Sequence, residues 1–275
     1  MALIPFPGAG SAQRLPDRDP DDDFEQGEES GGKMSFLEHL DELRRRLVVA
    51  VAALFVGFLI CLLFIDRIFG FIMRPLQAIL PDGGRLVYTE PTEAFMLQLK
   101  VAALAGVVLA APVIMWQLWL FVAPGLYSRE KRFALPFVLF STISFVAGAA
   151  FSHYVVFPAA WKFFASFNND YLQFLPKISE AFGLYAYMLL AFGIIFQMPV
   201  LVLALARMGV VTAGFLWRHT KYAILVIFIL AAVITPSSDV VNQTLMAGPM
   251  IVLYLLSIGI AWAFGRTRRA RDEQD

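Results

Sequence analysis

Carboxylates and arginines stand side by side in two short stretches that flank apolar segments of the chain. The first stretch runs from Glu38 to Arg46, and the second surrounds Glu130. In the first, Asp41 and Glu42 each precede an arginine by four residues, a spacing at which helical side chains form weak surface ion pairs. The same carboxylates are suited to a cationic ligand, because a carboxylate accepts both prongs of a guanidinium. The pattern alone leaves both interpretations open.

Gln197 is the most polar residue near the centre of any apolar segment. The cores of these segments contain no Asp, Glu, Lys or Arg, although ionisable residues at that depth normally mark a transport pathway. An amide in this position predicts either an interhelical hydrogen bond within the chain or a contact with the transmembrane helix of a partner.

The residues that usually support enzymatic or metal chemistry are few and scattered. The single cysteine, Cys61, lies inside an apolar segment, and His39, His153 and His219 are far apart. This set offers no cysteine cluster, no intrachain disulfide and no Ser-His-Asp relay. We therefore expect neither an enzyme nor a bound metal or cofactor.

Composition places the chain in a membrane. Of 275 residues, 59% are hydrophobic and 16% are charged, with a mean hydropathy of +0.68, whereas soluble domains have about 45–50% apolar and about 25% charged residues. The 22 basic and 22 acidic residues cancel, so no net charge favours nucleic acid. The sequence predicts an all-α polytopic membrane protein.

Six apolar segments approach the roughly 20 residues that cross a hydrocarbon core of about 30 Å. The fifth has only thirteen residues, so its flanks extend it, the bilayer thins around it, or it is a re-entrant segment. The segments cover residues 47–65, 94–123, 133–157, 181–206, 222–234 and 245–264.

The two ends of the chain differ from the membrane domain, which we place at residues 34–264. Residues 1–33 combine Pro, Gly and Ser with eight acidic residues, which predicts a disordered tail and, without an apolar h-region, no cleavable signal peptide. Residues 265–275 form a second tail of basic and acidic residues. Ser35 and Glu38 have the spacing of a capping box, which predicts an interfacial helix leading into the first span.

Basic residues predict the orientation. An even number of spans puts both ends on one side, and sixteen of the 22 Lys and Arg lie in the tails and in alternate loops. The positive-inside rule therefore predicts that both termini are cytoplasmic. The long connections 66–93 and 158–180 are then external, and their prolines predict a structured cap.

Several motifs in these segments occur together in one known family. They are Phe36-Leu37-Glu38-His39-Leu40-Asp41-Glu42-Leu43-Arg44-Arg45-Arg46-Leu47, Ala111-Pro112-Val113-Ile114, the run from Trp119 to Tyr127, Glu130-Lys131-Arg132, Val156-Phe157-Pro158, Phe196-Gln197-Met198-Pro199-Val200, and Thr235-Pro236 with Asp239, Gln243 and Pro249. With these motifs the chain resembles the TatC family, the multispanning core subunits of the twin-arginine protein translocase. The resemblance runs from about Met34 to Phe264.

The resemblance implies a fold and a function. The fold is a concave bundle of six helices in a bacterial cytoplasmic membrane, with short fifth and sixth spans. The function is to bind twin-arginine signal peptides of folded precursors and to recruit the single-span partners TatA and TatB. Export in this family is driven by the proton motive force, and we expect several copies of the chain in the complex.

The resemblance also implies roles for individual residues. It places signal-peptide carboxylates at Glu42 and Glu130, supported by Arg44, Phe121, Pro124, Tyr127 and Arg132. It places Pro75, Phe95 and Asp239 in the external cap, and partner docking at Gln197. The position of Gln197 is often Glu in the family, and Gln keeps the hydrogen bonding but cannot ionise.

Two other classes are weaker. A secondary transporter predicts internal repeats and charges at mid-membrane depth, and inspection of the sequence finds neither. An intramembrane enzyme requires a nucleophile with a base or a metal constellation, and the sequence supports neither.

Overall fold

The computed structural model describes residues 36–80, 86–126, 134–169, 171, 174–235 and 239–264, without the side chains of residues 36–38, 122–126 and 134. Within these ranges the chain is helical apart from turns and one parallel bridge between Val87 and Lys177. The predicted all-α fold is confirmed. Both predicted tails, residues 1–33 and 265–275, lie outside the described residues.

The helices of the described ranges follow the predicted order of spans. Five stretches are long and apolar enough to cross a membrane, and a shorter apolar helix of 15 residues is the fifth in sequence. The spans are α1, α3, α4 with α5, α6 with α7, and α10, and the short helix is α9. The helices are α1 (Phe36–Leu63), α2 (Ile65–Gln77), α3 (Glu93–Leu126), α4 (Ala134–Phe151), α5 (Phe157–Ala165), α6 (Ile178–Ile195), α7 (Met198–Arg207), α8 (Ala213–Arg218), α9 (Thr220–Ile234) and α10 (Val240–Phe264).

The sixth span is not short. Helix α10 has 25 residues and begins at Val240, whereas hydropathy placed its start at 245 and the resemblance implied a short span. Asp239 explains the earlier start, because its Oδ1 accepts a hydrogen bond from the Asn242 backbone N–H at 2.8 Å. Such a cap satisfies a donor that the first helical turn leaves unpaired, so polar residues join the helix.

Prolines interrupt the third and fourth spans. A π-bulge at Ser152–Val156 joins α4 to α5, which continues to Ala165, beyond the predicted end at 157. Pro158 follows the bulge. The wider π turn makes room for the proline ring, which in a regular α-helix would clash with the carbonyl four residues earlier.

The fourth span was predicted as one segment, yet α6 ends and α7 begins on either side of Phe196–Gln197. Pro199 in the first turn of α7 lacks the N–H that would continue α6.

Glycines bring neighbouring helices into backbone contact at two crossings. A Cβ added to Gly106 on α3 would lie 2.8 Å from the Phe58 backbone nitrogen on α1, and one added to Gly57 would lie 2.8 Å from the Gly106 oxygen. A Cβ on Gly148 of α4 would lie 2.5 Å from the Phe192 oxygen of α6. Small residues at crossings of this kind allow close packing of membrane helices.

Helix α1 leaves most of its apolar surface uncovered. Only 11% of its most apolar 18-residue window is buried within the chain, against 39% to 44% for the other four spans. Since lipid tails are as apolar as the side chains of a span, this surface is available to lipid or to other membrane helices.

Candidate functional site

The first turns of α1 carry the charges that the sequence analysis singled out. Glu42 is half-buried, whereas Asp41 and Arg44 are exposed. The helix continues without a break to Leu63, so the predicted interfacial helix and the first span are one element. The side chain of Glu38 lies outside the described residues.

A polar contact joins α1 to α3 one turn after Glu42. Arg46 donates from Nη1 to Gln117 Oε1 at 3.4 Å, and this contact holds the first half of α1 against the second half of α3. The sequence analysis considered Arg46 only as a partner of Glu42 and did not single out Gln117. A lone amide in an apolar span was the available signal, since buried amides normally have hydrogen-bond partners.

Other residues of the predicted binding face are described only in part. Phe121 is half-buried on α3, one turn beyond Gln117. Pro124 lies in the last turn of the same helix, without a described side chain. Tyr127, Glu130 and Arg132 lie outside the described residues, so their roles stay predictions.

Gln197 belongs to a hydrogen-bonded chain between three spans. Its Nε2 donates to the Ser141 carbonyl of α4 at 2.9 Å, and the Ser141 hydroxyl accepts from Trp119 Nε1 of α3 at 2.6 Å. The Trp119 ring also packs on Phe137, with centroids 4.9 Å apart. The intrachain hydrogen bond that the sequence allowed for Gln197 is therefore present, and it uses one of the two amide N–H groups.

The residues assigned to the cap occupy different environments. Pro75 is half-buried inside α2, while Phe95 in the first turn of α3 is 58% exposed. Asp239 caps α10 and also accepts a hydrogen bond from Asn242 Nδ2 at 3.1 Å. The structure thus gives Asp239 a role in starting a helix.

Glu93 joins the two long connections and was missed by the sequence analysis. Its Oε1 accepts from the Ser179 hydroxyl and from the Ser179 N–H at 3.3 Å, and its Oε2 accepts from the Thr89 N–H at 2.9 Å. Beside it the Ile178 N–H donates to the Val87 carbonyl at 2.9 Å. The described parts of these connections are structured, as predicted. An acidic residue in the first turn of a helix was the available signal.

His153 and Cys61 lie in the predicted spans and are buried within the chain. His153 in the π-bulge pairs its Nδ1 with the Tyr185 hydroxyl at 2.8 Å and stacks on Phe71 at 4.5 Å. Cys61 is buried on α1. Among the described residues, no three His, Cys, Asp or Glu side chains form a group that could hold a metal ion.

Five long apolar spans, a shorter apolar helix and the connections between them define a multi-spanning α-helical membrane protein. The model of the family described as "Sec-independent protein translocase protein (TatC)" matches residues 38–249. The chain belongs to this family and is a translocase component of the bacterial inner membrane rather than an enzyme.

Relatives and solved structures agree with this assignment. The chain is 44% identical over 246 residues to TatC of Koribacter versatilis (strain Ellin345), which covers 87% of this chain and 90% of the relative. It is 44% identical over 223 residues to TatC of Helicobacter pylori (strain J99), covering 81% and 87%. A crystal structure of the twin-arginine translocase receptor TatC in DDM superposes with a TM-score of 0.73 at 34% identity, covering 82% of this chain and 99% of that one.

Proposed function

We propose that the chain binds twin-arginine signal peptides of folded precursors at its cytoplasmic face, through Glu42 and Glu130. The observation that carries the proposal is the half-buried carboxylate of Glu42 at the start of a spanning helix. A carboxylate partly withdrawn from water is stabilised by a cation that bonds to it directly. The crystallised relative is described as a receptor, which agrees with a binding role.

The chemistry of the ligand matches two carboxylates. Each guanidinium of an Arg-Arg pair forms two parallel hydrogen bonds with one carboxylate, which an ammonium cannot do. Arg44 and Arg132 hold the carboxylates in place, since their charge repels the arginines of the ligand. Phe121, Pro124 and Tyr127 provide apolar surface beside the charges and thereby strengthen the electrostatic attraction.

The proposal also includes the orientation of the chain in the membrane and its partner proteins. Both termini are cytoplasmic, because sixteen of the 22 basic residues then lie on the cytoplasmic side. TatA- and TatB-type single-span proteins are recruited, several copies of the chain assemble in the complex, and the proton motive force drives export.

Peptide binding to purified protein tests the proposal. A hydrogen bond to a charged partner contributes about 1.5–3 kcal/mol, so Glu42→Gln and Glu130→Gln should each weaken binding of an Arg-Arg signal peptide by roughly 10- to 150-fold. The double variant should be near background. Titration of a fluorescent peptide into the full-length chain in detergent measures these affinities.

Asp41→Asn is the matched control, because Asp41 is exposed and adjacent to Glu42. It removes the same charge from the same helix and should bind within about threefold of the unmodified chain, as expected for loss of an exposed charge. Unchanged affinity after both Gln substitutions would show that Glu42 and Glu130 do not bind the peptide and contribute only to the electrostatics of the protein surface.

Partner docking at Gln197 is a second part of the proposal. One N–H of its Nε2 is donated to the Ser141 carbonyl, which leaves the second N–H and Oε1 for a partner. A polar group on a TatA- or TatB-type helix therefore donates to Oε1 or accepts from the second N–H of Nε2.

A further inference from the structure

An apolar groove of about 720 Å³ lies between α1, α2, α3, α4 and α6. Its walls are nearly all aliphatic and aromatic, and its polar groups come from the π-bulge and the tyrosine that faces it, His153, Tyr154 and Tyr185. His153 and Tyr185 hydrogen-bond to each other. A groove with these walls suits a hydrocarbon ligand and not a polar solute.

The depth of the groove matches one leaflet of a bilayer. On α3 its lining runs from Leu104 to Pro112, which is about 12 Å of helix. It starts four residues past Lys100, the last charged residue before the apolar stretch of α3. Half of a hydrocarbon core is about 15 Å, whereas a spanning helix requires about 30 Å. The groove is therefore long enough for an acyl chain and too short for the transmembrane helix of a partner.

Two arginines stand on α2, one of the helices that line the groove. Ile68, Phe71 and Ile72 of α2 line it, and Arg67 and Arg74 are exposed on the same helix. Arg67, Phe71 and Arg74 follow at steps of four and three, so they form one stripe of α2. Neither guanidinium has an ion pair or hydrogen bond among the residues that the structure describes.

We propose that this groove holds an anionic phospholipid, with an acyl chain inside it and the phosphate bound by Arg67 and Arg74. The two exposed arginines of α2 complement a phosphate, and the apolar walls complement the chain attached to it. Phe71 lies beside the groove and is held in place there. Its ring stacks on His153 and meets the Tyr154 ring edge to face, with the centroids 6.5 Å apart. The lipid lies in the leaflet on the side of α2. Its binding does not involve the signal-peptide site.

Native mass spectrometry of the full chain tests the proposal. The protein is released from nanodiscs that contain equal amounts of phosphatidylglycerol and phosphatidylcholine, and the lipids that stay bound are counted. We expect one retained lipid with phosphatidylglycerol preferred. Arg67→Gln with Arg74→Gln should weaken retention of phosphatidylglycerol roughly tenfold or more, the effect of losing hydrogen bonds to a charged group. Lys162→Gln, which removes an exposed cation from α5, should have no effect.

A second pair of variants tests the acyl chain separately from the phosphate. Ala150 lines the groove and Ala147, on the same helix, is exposed and does not line it. Ala150→Phe should lower retention of both lipids, whereas Ala147→Phe should leave retention unchanged. The proposal is overturned if the unmodified chain retains no lipid, if it shows no preference for phosphatidylglycerol, or if either variant pair behaves like its control.

Discussion

At Ser141, three spans meet through the atoms of one residue. The hydroxyl accepts from Trp119 and the carbonyl accepts from Gln197, so α3, α4 and the α6–α7 break are joined where the sequence showed only one amide in an apolar run. A serine and a tryptophan in such runs were too ordinary to single out. Residues whose partners are distant in sequence are therefore the part of the site that the sequence analysis could not assign.

Gln197→Leu should separate the intrachain role of this residue from its role in docking. Interhelical hydrogen bonds in membranes contribute about 0.6 kcal/mol on average, so we expect a small change in thermal unfolding and normal amounts of protein. Crosslinking of a partner helix to α7 should fall clearly, because Oε1 is lost with the amide. Normal crosslinking and full export by Gln197→Leu would make this residue a packing residue only.

Gln197→Glu gives a complementary result. An ionised carboxylate has no proton to donate to the Ser141 carbonyl, so this substitution loses the bond to α4 while keeping an acceptor for a partner. We expect partner crosslinking near normal with slightly lower thermal stability. An unfolding midpoint equal to that of the unmodified chain would show that the Ser141 bond contributes nothing.

At the scale of elements, hydropathy was sufficient for the order of the helices and insufficient for their breaks and ends. Apolar runs predicted the five long spans and the shorter apolar helix in the right order, because crossing hydrocarbon requires a long apolar helix. The π-bulge, the break before α7 and the early start of α10 depend on Pro158, Pro199 and Asp239, whose local bonding hydropathy does not register. Helix α2 was expected only as part of a structured connection, since it is too short to span.

The crossing of α1 and α3 should be sensitive to the smallest side chain. Gly106→Ala places a methyl group 2.8 Å from the Phe58 backbone nitrogen, so the helices must separate, and overpacking of this kind costs about 1–3 kcal/mol. We expect a lower unfolding midpoint in a detergent melt. Gly183→Ala is the control, because no atom lies within 4 Å of its added Cβ. Equal midpoints for both variants would contradict the close approach.

Glu93 should stabilise the two long connections together. Glu93→Ala removes every acceptor for Ser179 and Thr89, while Glu93→Gln keeps one oxygen. We expect proteolysis of the connections to be fastest in the Ala variant and intermediate in the Gln variant. Glu90→Gln changes an exposed neighbouring carboxylate and should behave like the unmodified chain. Equal cleavage rates in all variants would show that this carboxylate does not hold the connections.

For the whole molecule, charge distribution predicts which face is cytoplasmic, and helix packing does not. In a Cys61→Ser background, single cysteines at the exposed positions Glu90 and Tyr171 should react with an impermeant thiol reagent from the outside of intact cells. A cysteine at Val210, between α7 and α8 and 65% exposed, should react only after the inner face is opened. The reverse pattern would overturn the orientation.

The central claim is that two glutamates bind the arginine pair of a signal peptide, and photocrosslinking from the peptide tests it most directly. A photoreactive residue placed beside the arginines of an Arg-Arg precursor leaves Glu42 and Glu130 intact, and a Lys-Lys precursor with the same probe is run in parallel. Since an ammonium cannot make the two-pronged contact, we expect strong crosslinks from the Arg-Arg precursor and weak crosslinks from the Lys-Lys precursor. The strong crosslinks should map by mass spectrometry to peptides that contain residues 42 and 130. Equal crosslinking of both precursors, or crosslinks that map to neither glutamate, would contradict the claim.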